Sequence, residues 1–275
     1  MIDRLKVAAP LLAAFAIAAC TTTSQSAATK APPPLPALTV ADYGPILADP
    51  ARSVKLEGLQ AVDQADDAAR KPAEVLAFAQ IRPGETILEL EGGRGWYSEI
   101  LSIALGPMGK LIVQYPPEFN YGDAAYKART DAGQLKNATI TVSAFDKLQA
   151  PDNSVDKVLW ILGPHELYFT PRNAQPGALG DPVKAYAEIK RVLKPGGIFI
   201  AMDHAAEAGA PPSIAQTIHR VDPAVVLAAA KAAGLDYVDK SSILANPKDD
   251  RTKTPFTPDI RRHTDQFLFR FRKPG

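Results

Sequence analysis

The chain has 275 residues and 46% of them are hydrophobic, which is enough for one full-sized domain with a large core and a tail. Its formal net charge is +1 and no long run of like charge occurs, so the sequence gives no sign of a nucleic-acid surface. The single cysteine, Cys20, rules out an internal disulfide, and the fold must therefore rely on its core.

The N-terminus has the pattern of a bacterial export signal. Two basic residues precede an apolar run, residues 7–17, that is too short to span a bilayer as a stable helix. The sequence "IAAC", residues 17–20, resembles a lipobox, in which small residues permit cleavage before a cysteine that then receives lipid on its sulfur. We interpret residues 1–19 as a lipoprotein signal peptide and Cys20 as the lipid attachment site. An ordinary cleavable signal with a chance cysteine is the alternative.

The residues after the cysteine predict a tether in the cell envelope. Thr21 stands where aspartate would favour the inner membrane, which indicates a lipid-anchored protein of the outer membrane that faces the periplasm. Residues 20–39 are rich in small polar residues and proline, and cannot bury enough surface to offset the entropy lost on ordering. We predict a disordered tether over 20–39 and one domain over 40–275. An ordered arm on the domain is the alternative to the tether.

Hydrophobic periodicity and turn residues predict alternating helices and strands in the domain. Residues 40–79 read as mostly helical, and further helices are predicted to begin near positions 96, 123, 182 and 223. Buried strands are predicted at 85–90, 109–115, 138–145, 155–162 and 198–203. Residues 266–272, "QFLFRFR", alternate phenylalanine with polar side chains and predict a half-buried antiparallel strand.

This alternation predicts an α/β fold whose mainly parallel sheet has helices on both faces. The long connection between the last two strands contains "NPKDDRT", residues 246–252. A loop of that length is often functional, so we interpret it either as a cover over a ligand site or as a plain surface loop.

The turn after the first strand is the first candidate for a ligand site. It lies within "LELEGGRGWYSEIL", residues 88–101. Gly93 and Gly95 lack Cβ atoms and allow a tight turn with close approach of a ligand, and the helix beginning near Trp96 has free N–H groups at the same place. Ligands of such sheets lie beyond the carboxyl ends of the strands. A tight strand-to-helix connection without a ligand is the alternative reading.

The charge of the turn separates two classes of cofactor. A dinucleotide site uses a "GxGxxG" spacing and places a pyrophosphate at the helix N-terminus. Here the spacing is "EGGRG", and Glu89 and Glu91 would repel a pyrophosphate. Two acids suit a cationic ligand instead, and S-adenosylmethionine carries both a sulfonium and an ammonium group. The residues therefore favour S-adenosylmethionine over a dinucleotide.

Several motifs occur in an order typical of one enzyme class. The glycine turn, "APDNSVDKVLWIL", "EIKRVLKPGG" and "MDH" resemble class I S-adenosylmethionine-dependent methyltransferases. More narrowly, residues 65–273 resemble a bacterial family of predicted exported methyltransferases, through "RKPAEVLAF", "GGRGWYSEIL", "AMDH", "IHRVDPAVV", "NPKDDRT" and "TDQFLFRFRKP". The resemblance implies a Rossmann-like, seven-stranded, mainly parallel sheet with an antiparallel last strand, and S-adenosylmethionine as the cofactor.

The resemblance also assigns cofactor-binding residues. Those at the glycine turn are Glu89, Glu91, Gly92, Gly93 and Gly95, with Glu91 in the place of the first glycine of the broad motif. Those on the adenosine side are Gln114, Phe145 and Asp146. Gln114 stands where many of these enzymes have an acid on the ribose hydroxyls, and an amide binds a hydroxyl more weakly than a carboxylate does.

Four residues near strand ends are predicted to do chemistry at one rim: His165, Asp203, His204 and His219. Methyl transfer needs alignment, and it needs a base only if the acceptor carries a proton. We predict that His219, helped by Asp203 and His204, orients or deprotonates the acceptor, and that His165 is the next candidate. For any one histidine a structural role is equally expected, and Asp203 with Arg220 could form a structural ion pair. No metal site is predicted.

Three functions fit these residues. The first is an exported methyltransferase acting on a small or envelope-linked acceptor, with the membrane contacted through Cys20 and no protein partner evident. The second is a methyltransferase-fold lipoprotein that binds a small molecule without catalysis, which export and Gln114 favour. The third is a purely structural lipoprotein, which Gly93, Gly95 and Asp146 argue against.

Overall fold

The computed structural model describes residue 1, residues 35–50, residue 52 and residues 59–275. The predicted signal peptide, Cys20 and most of the predicted tether lie outside the described residues. The compact unit that carries the sheet begins at Ala37. Its first residues are held because the Leu38 N–H donates to Gln80 Oε1 at 2.8 Å, and Gln80 Nε2 donates back to the Leu38 carbonyl at 2.7 Å.

The helices begin where their sequences supply start signals. Pro182 and Pro223 stand at the first helical positions of two of them, and the side chains of Asp181 and Asp222 accept the capping N–H bonds. In the described part of the chain the helices are α1 (Val40–Leu47), α2 (Gln60–Arg70), α3 (Pro72–Ala79), α4 (Trp96–Leu105), α5 (Asp123–Asp131), α6 (Pro182–Val192), α7 (Ala215–Ile218) and α8 (Pro223–Ala232). Among these residues no helix has both the length and the apolar content to cross a bilayer.

The described residues form one seven-stranded sheet in the order β3-β2-β1-β4-β5-β7-β6. The strands are β1 (Thr86–Leu90), β2 (Lys110–Tyr115), β3 (Ala138–Val142), β4 (Val155–Ile161), β5 (Leu193–His204), β6 (Asp236–Ser241) and β7 (Gln266–Arg272). β1 to β5 pair in parallel, and β7 runs antiparallel to both β5 and β6. The predicted α/β fold with an antiparallel last strand is confirmed.

The core surrounds the central strands because these are buried on both faces. β4 consists almost entirely of buried residues, with Trp160 fully enclosed. Nearly all of α4 is buried where it contacts β2 and α1, while α6 and α8 pack together beside β5 and β6. The carboxyl ends of β1 and β4 are thereby held next to each other, which positions the residues of the site.

Candidate functional site

A cavity of about 450 Å³ lies at the carboxyl ends of β1 and β4, and this volume is in the range of small-molecule sites. It is lined by the glycine turn, the turn after β4, the end of β5, α2 and the segment 255–266. Glu89, Glu91, Gly92 and Gly93 belong to this lining, and so do His165 and His204. The predicted cofactor turn and part of the predicted rim therefore share one cavity.

The glycine turn has little room on one side and open space on the other. A Cβ on Gly92 would lie 2.1 Å from Tyr126 Oη, so no larger residue fits at that position. Gly93 has a φ of +58°, and no atom lies within 4 Å of the place where its Cβ would be. Gly93 can thus meet a ligand directly. Gly95 does not line the cavity. Its Cβ position points toward Arg129, whose Cδ lies only 3.0 Å away.

Glu89 lies near the end of β1 with its carboxylate in a buried polar network. Ser98 Oγ donates to Glu89 Oε2 at 2.5 Å and lies 2.9 Å from Tyr126 Oη. Burial raises the pKa of Glu89 to about 7, while the bond from Ser98 and the charge of Arg129 act in the opposite direction. This carboxyl group is a candidate to bind the cationic end of a ligand.

Glu91 has a φ of +59° and turns its carboxylate toward the turn after β4. A Cβ on Gly163 would lie 2.4 Å from Glu91 Oε2 and 2.1 Å from Trp160 Nε1, so both polar groups approach the Gly163 backbone. Glu91 Oε2 and Trp160 Nε1 have no well-formed hydrogen bond within the described residues. Burial, followed by the negative charge of Glu166, raises the pKa of Glu91 well above its usual value.

His165 and Asp203 form a buried pair between neighbouring strand ends. Asp203 is the second-last residue of β5 and is fully buried, and His165 lies in the short 3₁₀ turn that follows β4. The His165 backbone N–H donates to Asp203 Oδ2 at 2.7 Å, and His165 Nδ1 lies 2.9 Å from Oδ1 and 3.0 Å from Oδ2. Asp203 therefore fixes the ring and leaves Nε2 available, which is the usual arrangement of an oriented histidine.

The charge state of His165 follows from its neighbours. Burial by itself would lower the pKa of His165, but the carboxylates of Asp203 and Glu166 outweigh it and raise this pKa well above the usual value. His165 Nε2 lies 3.3 Å from Glu166 Oε1. At neutral pH the imidazole is thus held as the cation beside two acids.

The other two histidines occupy different environments. His204 lines the cavity and its Nδ1 lies 2.6 Å from Thr264 Oγ1, while burial, followed by the charges of His165 and Arg220, lowers its pKa well below the usual value. His219 does not belong to the cavity lining. Its ring packs against Phe169 and Phe256, with centroid separations of 4.4 and 5.1 Å. Its ring also lies 5.6 Å from that of His165, and the role of His219 with the acceptor's proton stays a prediction.

The three residues predicted on the adenosine side lie outside the cavity lining. Gln114 is fully buried; its Nε2 donates to the carbonyls of Ser143, Ala144 and Lys147, and its Oε1 accepts the Gln149 N–H. Phe145 is also fully buried and packs on Trp160 at 4.6 Å. Asp146 Oδ2 accepts the N–H of Asp181 at 3.1 Å. Their cofactor roles stay predictions, since these polar groups already have partners within the chain.

A segment next to the glycine turn explains why the cavity stops there. The short 3₁₀ stretch Pro117–Gly122 follows β2, and its Phe119 packs near Phe145 at 6.3 Å. A Cβ on Gly122 would lie 2.1 Å from the Gly93 carbonyl oxygen. The stretch therefore contacts the turn directly, on the path from the turn to Gln114 and Asp146.

The long connection between β6 and β7 contributes to the cavity after its "NPKDDRT" motif. Arg220, fully buried, pairs with Asp249 at 2.8 Å, and Asp249 Oδ2 also accepts the N–H of Asp265. This corrects the alternative reading in which Arg220 pairs with Asp203. The anchored motif supports residues 255–262, of which Pro255, Phe256, Arg261 and Arg262 line the cavity.

Sequence reasoning missed the contribution of α2. This helix lines the cavity with Val62, Asp63, Asp66 and Arg70, and its buried side consists of acids rather than apolar residues. Arg129, fully buried, donates to both oxygens of Asp63 at 2.9 and 3.0 Å and also bonds Glu99 and the Arg94 carbonyl. The acidic pattern of "VDQADDAAR" was the only available signal.

Glu166 was missed as well, although it follows His165 directly in "GPHELY". It lines the cavity, is 8% exposed, and its Oε2 has no hydrogen-bond partner among the described residues. In the same part of the chain, no group of three or more His, Cys, Asp or Glu side chains is arranged to hold a metal ion. The cavity thus presents carboxylates, imidazoles and arginines, and these can bind and orient a charged small molecule.

Known proteins match the region that builds this site. Residues 92–201 match the family described as "Methyltransferase domain". Over 128 residues the chain is 29% identical to the ubiquinone/menaquinone biosynthesis C-methyltransferase UbiE of Hydrogenovibrio crunogenus. That match covers 46% of this chain and 45% of the relative, so the chain spans less than half of the length of this curated relative.

Solved structures share the fold over most of the chain. An S-adenosylmethionine-dependent methyltransferase of Aquifex aeolicus has a TM-score of 0.56 at 22% identity, covering 78% of this chain and 96% of its own. One from Mesorhizobium loti has a TM-score of 0.51 at 16% identity, covering 75% and 99%. Residues 92–201 thus match a methyltransferase domain in a chain with the fold of class I S-adenosylmethionine-dependent methyltransferases, and the match and the fold together support S-adenosylmethionine as the cofactor.

Proposed function

We propose that this protein is an S-adenosylmethionine-dependent methyltransferase that acts on a small or envelope-linked acceptor. The observation that carries the proposal is that the glycine turn of the methyltransferase domain and the His165–Asp203 pair line or border one cavity of about 450 Å³. Methyl transfer to a protic acceptor needs two parts close together: a turn that binds the cofactor and an oriented group that handles the proton.

The residues present fit the methionine end of the cofactor. Bound S-adenosylmethionine supplies a methyl group on a sulfonium, which is an electrophile with one positive charge. Gly93 offers a backbone surface free of side-chain atoms, and the carboxyl group of Glu89 offers a partner for positive charge. Helix α2 and the segment 255–262 form further walls of this space.

His165 is our candidate for the group that receives the acceptor's proton, in place of His219. Its Nε2 faces the cavity 3.3 Å from Glu166 Oε1, and its Nδ1 is held by Asp203, which would stabilise the imidazolium formed on proton uptake. Because the pKa of His165 is raised, the neutral, accepting form appears only at pH values well above 6.5. Turnover limited by this group should therefore rise with pH through that higher range.

One observation favours a second function, binding without catalysis. The cavity does not extend to Gln114, Phe145 and Asp146, whose polar groups bond within the chain. A protein that binds only a small charged molecule would need nothing more than the cavity as it stands. In that case the methyltransferase fold would serve as a scaffold for a different ligand.

Calorimetry with S-adenosylmethionine and S-adenosylhomocysteine tests the proposed function against this alternative. We expect both to bind, and we expect envelope extract to promote formation of S-adenosylhomocysteine by the wild-type protein. His165→Gln should lower that turnover at least about a hundredfold, as for loss of a general base, while cofactor affinity stays near wild type. His263→Gln, at an exposed histidine outside the cavity lining, is the matched control and should retain turnover. Absence of binding by both adenosyl compounds would reject the methyltransferase in favour of the binding protein.

We also propose that the domain is tethered to the outer membrane, facing the periplasm, through lipid on Cys20. The support is the lipobox at residues 17–20 and the proline-rich residues that follow it. Cys20→Ser should yield protein without bound lipid that leaves the membrane fraction or stays uncleaved. Wild-type protein that fractionates as free periplasmic material with no lipid mass would refute the anchor.

A further inference from the structure

Two carboxyl groups face the cavity, and the His165 imidazolium lies near one of their oxygens, Glu166 Oε1, at 3.3 Å. Glu91 stands in the glycine turn and Glu166 in the turn after β4, and both line the cavity. Glu166 Oε2 has no hydrogen-bond partner among the described residues, although Glu166 is only 8% exposed, and Glu91 Oε2 has the indole N–H of Trp160 as its neighbouring donor. Buried carboxylate oxygens without partners are costly, so they point to a ligand that supplies donors.

The cations nearby do not satisfy this pair. His165 is committed to Asp203 through Nδ1 and lies 3.3 Å from the other oxygen of Glu166, not from the unpartnered one. Arg70 and Arg262 both pair with Asp66, at 3.2 and 2.9 Å. The remaining arginines of the lining, Arg94 and Arg261, are exposed to solvent.

Two aromatic side chains in the same lining suit an organic cation. Tyr121 is 56% exposed and Phe256 is 62% exposed, although large aromatic residues are usually buried. Both line the cavity that contains Glu91 and Glu166. Aromatic faces attract ammonium groups, and an alkylated or alkyl-bearing ammonium gains from both the rings and the carboxylates.

We propose that Glu91 and Glu166 form a subsite for an alkylammonium group of the methyl acceptor, with Tyr121 and Phe256 beside its alkyl part. This inference rests on the proposed function, because it concerns the acceptor and not the cofactor. An ammonium supplies the donor that Glu166 Oε2 lacks, and its charge offsets the mutual repulsion of the two acids. Burial and this repulsion are also what raise the pKa of Glu91.

The subsite has a consequence for the chemistry. An amine held between two carboxylates is protonated, so its nitrogen has no free lone pair and cannot attack a methyl group. The ammonium therefore anchors the acceptor, and the methylated atom is another atom of the same molecule. Glu91 and Glu166 determine specificity in this scheme, and His165 serves the reacting atom.

The test uses n-butylammonium, n-butanol and butyrate as probes on the full chain. Binding is followed by NMR through the indole N–H of Trp160, which approaches the same Gly163 backbone as Glu91. Each titration is repeated at constant ionic strength with saturating S-adenosylhomocysteine. The variants are Glu166→Gln and Glu91→Gln, each of nearly unchanged shape, and the control is Glu207→Gln, which removes an exposed carboxylate outside the cavity.

We expect n-butylammonium to bind at least about tenfold more tightly than either other probe, in the presence of S-adenosylhomocysteine as in its absence. Glu166→Gln and Glu91→Gln should each weaken it about tenfold, and Glu207→Gln should not. Equal binding of n-butanol, or unchanged binding by both cavity variants, would overturn the subsite. Displacement of n-butylammonium by S-adenosylhomocysteine would overturn its assignment to the acceptor. If S-adenosylhomocysteine itself fails to bind, the proposed function fails, while the comparison of cation with alcohol still decides the subsite.

Discussion

Replacement of Gly93 by alanine separates the ligand role of the glycine turn from its conformational role. Gly93 has a φ of +58°, and a Cβ there has no atom within 4 Å, so the added methyl meets only the cavity. The left-handed conformation costs a non-glycine residue about 1–2 kcal/mol. For a domain of this size each kcal/mol lowers the melting temperature by about 2–4 °C. Gly93→Ala should therefore fold and show a modest loss of stability.

Gly93→Ala should also weaken ligand binding, and by more than the backbone strain alone would. If the cofactor lies against the turn, the methyl occupies space that the ligand needs, and overpacking of this kind costs about 1–3 kcal/mol. That cost corresponds to about five- to 150-fold weaker binding. Calorimetric titration of S-adenosylhomocysteine measures the affinity, and a thermal melt of the same sample measures the strain.

Gly84 provides the matched control. It has a φ of +84°, its Cβ position is equally open, and it lies in the turn before β1, at the opposite end of that strand from the cavity. Gly84→Ala should lower the melting temperature about as much as Gly93→Ala and leave the affinity unchanged. If Gly93→Ala binds S-adenosylhomocysteine as tightly as the wild type does, the cofactor does not contact this turn and our assignment of the site is refuted.

Two further predictions concern buried charges. Asp203→Asn should bring the pKa of His165 down toward its unfolded value of about 6.5, as read from an NMR titration of its ring. Because the pKa of His165 is raised in the folded protein, the wild type should lose stability as pH rises through this raised pKa, and Asp203→Asn should lose less. Equal pH profiles of the melting temperature for the two proteins would contradict the His165–Asp203 pair. Arg129→Met should cost about 3–5 kcal/mol and expose α2 to proteolysis, since it removes the buried guanidinium that binds both oxygens of Asp63. Lys127→Met, which breaks an exposed ion pair on the same helix, should cost less than about 1 kcal/mol; similar losses in the two variants would refute the anchoring role of Arg129.

The elements of the fold were predictable because their signals are local. Each of the six strands predicted from residue patterns is present, since runs of leucine and β-branched residues bounded by turns suit buried strands. β6, "DYVDKS", was missed because an edge strand is paired on one side only and keeps polar residues. The helix end at "KPGG" was placed slightly late, because Leu193 already pairs with Val155 in the sheet.

Sequence alone determined the sheet type, the position of the glycine turn and the cationic preference of its acids, because these depend on neighbouring residues in the chain. Only the tertiary structure decided which side chains share the cavity. It brings α2 and the segment 255–262 to the glycine turn, joins Asp203 to His165, and packs His219 against His165 and Phe256 of the lining. The physical reason is that the packing of distant segments sets the direction of a side chain at a strand end, and buried arginines must pair with carboxylates that are far away in the chain. Neither effect leaves a local pattern in the sequence.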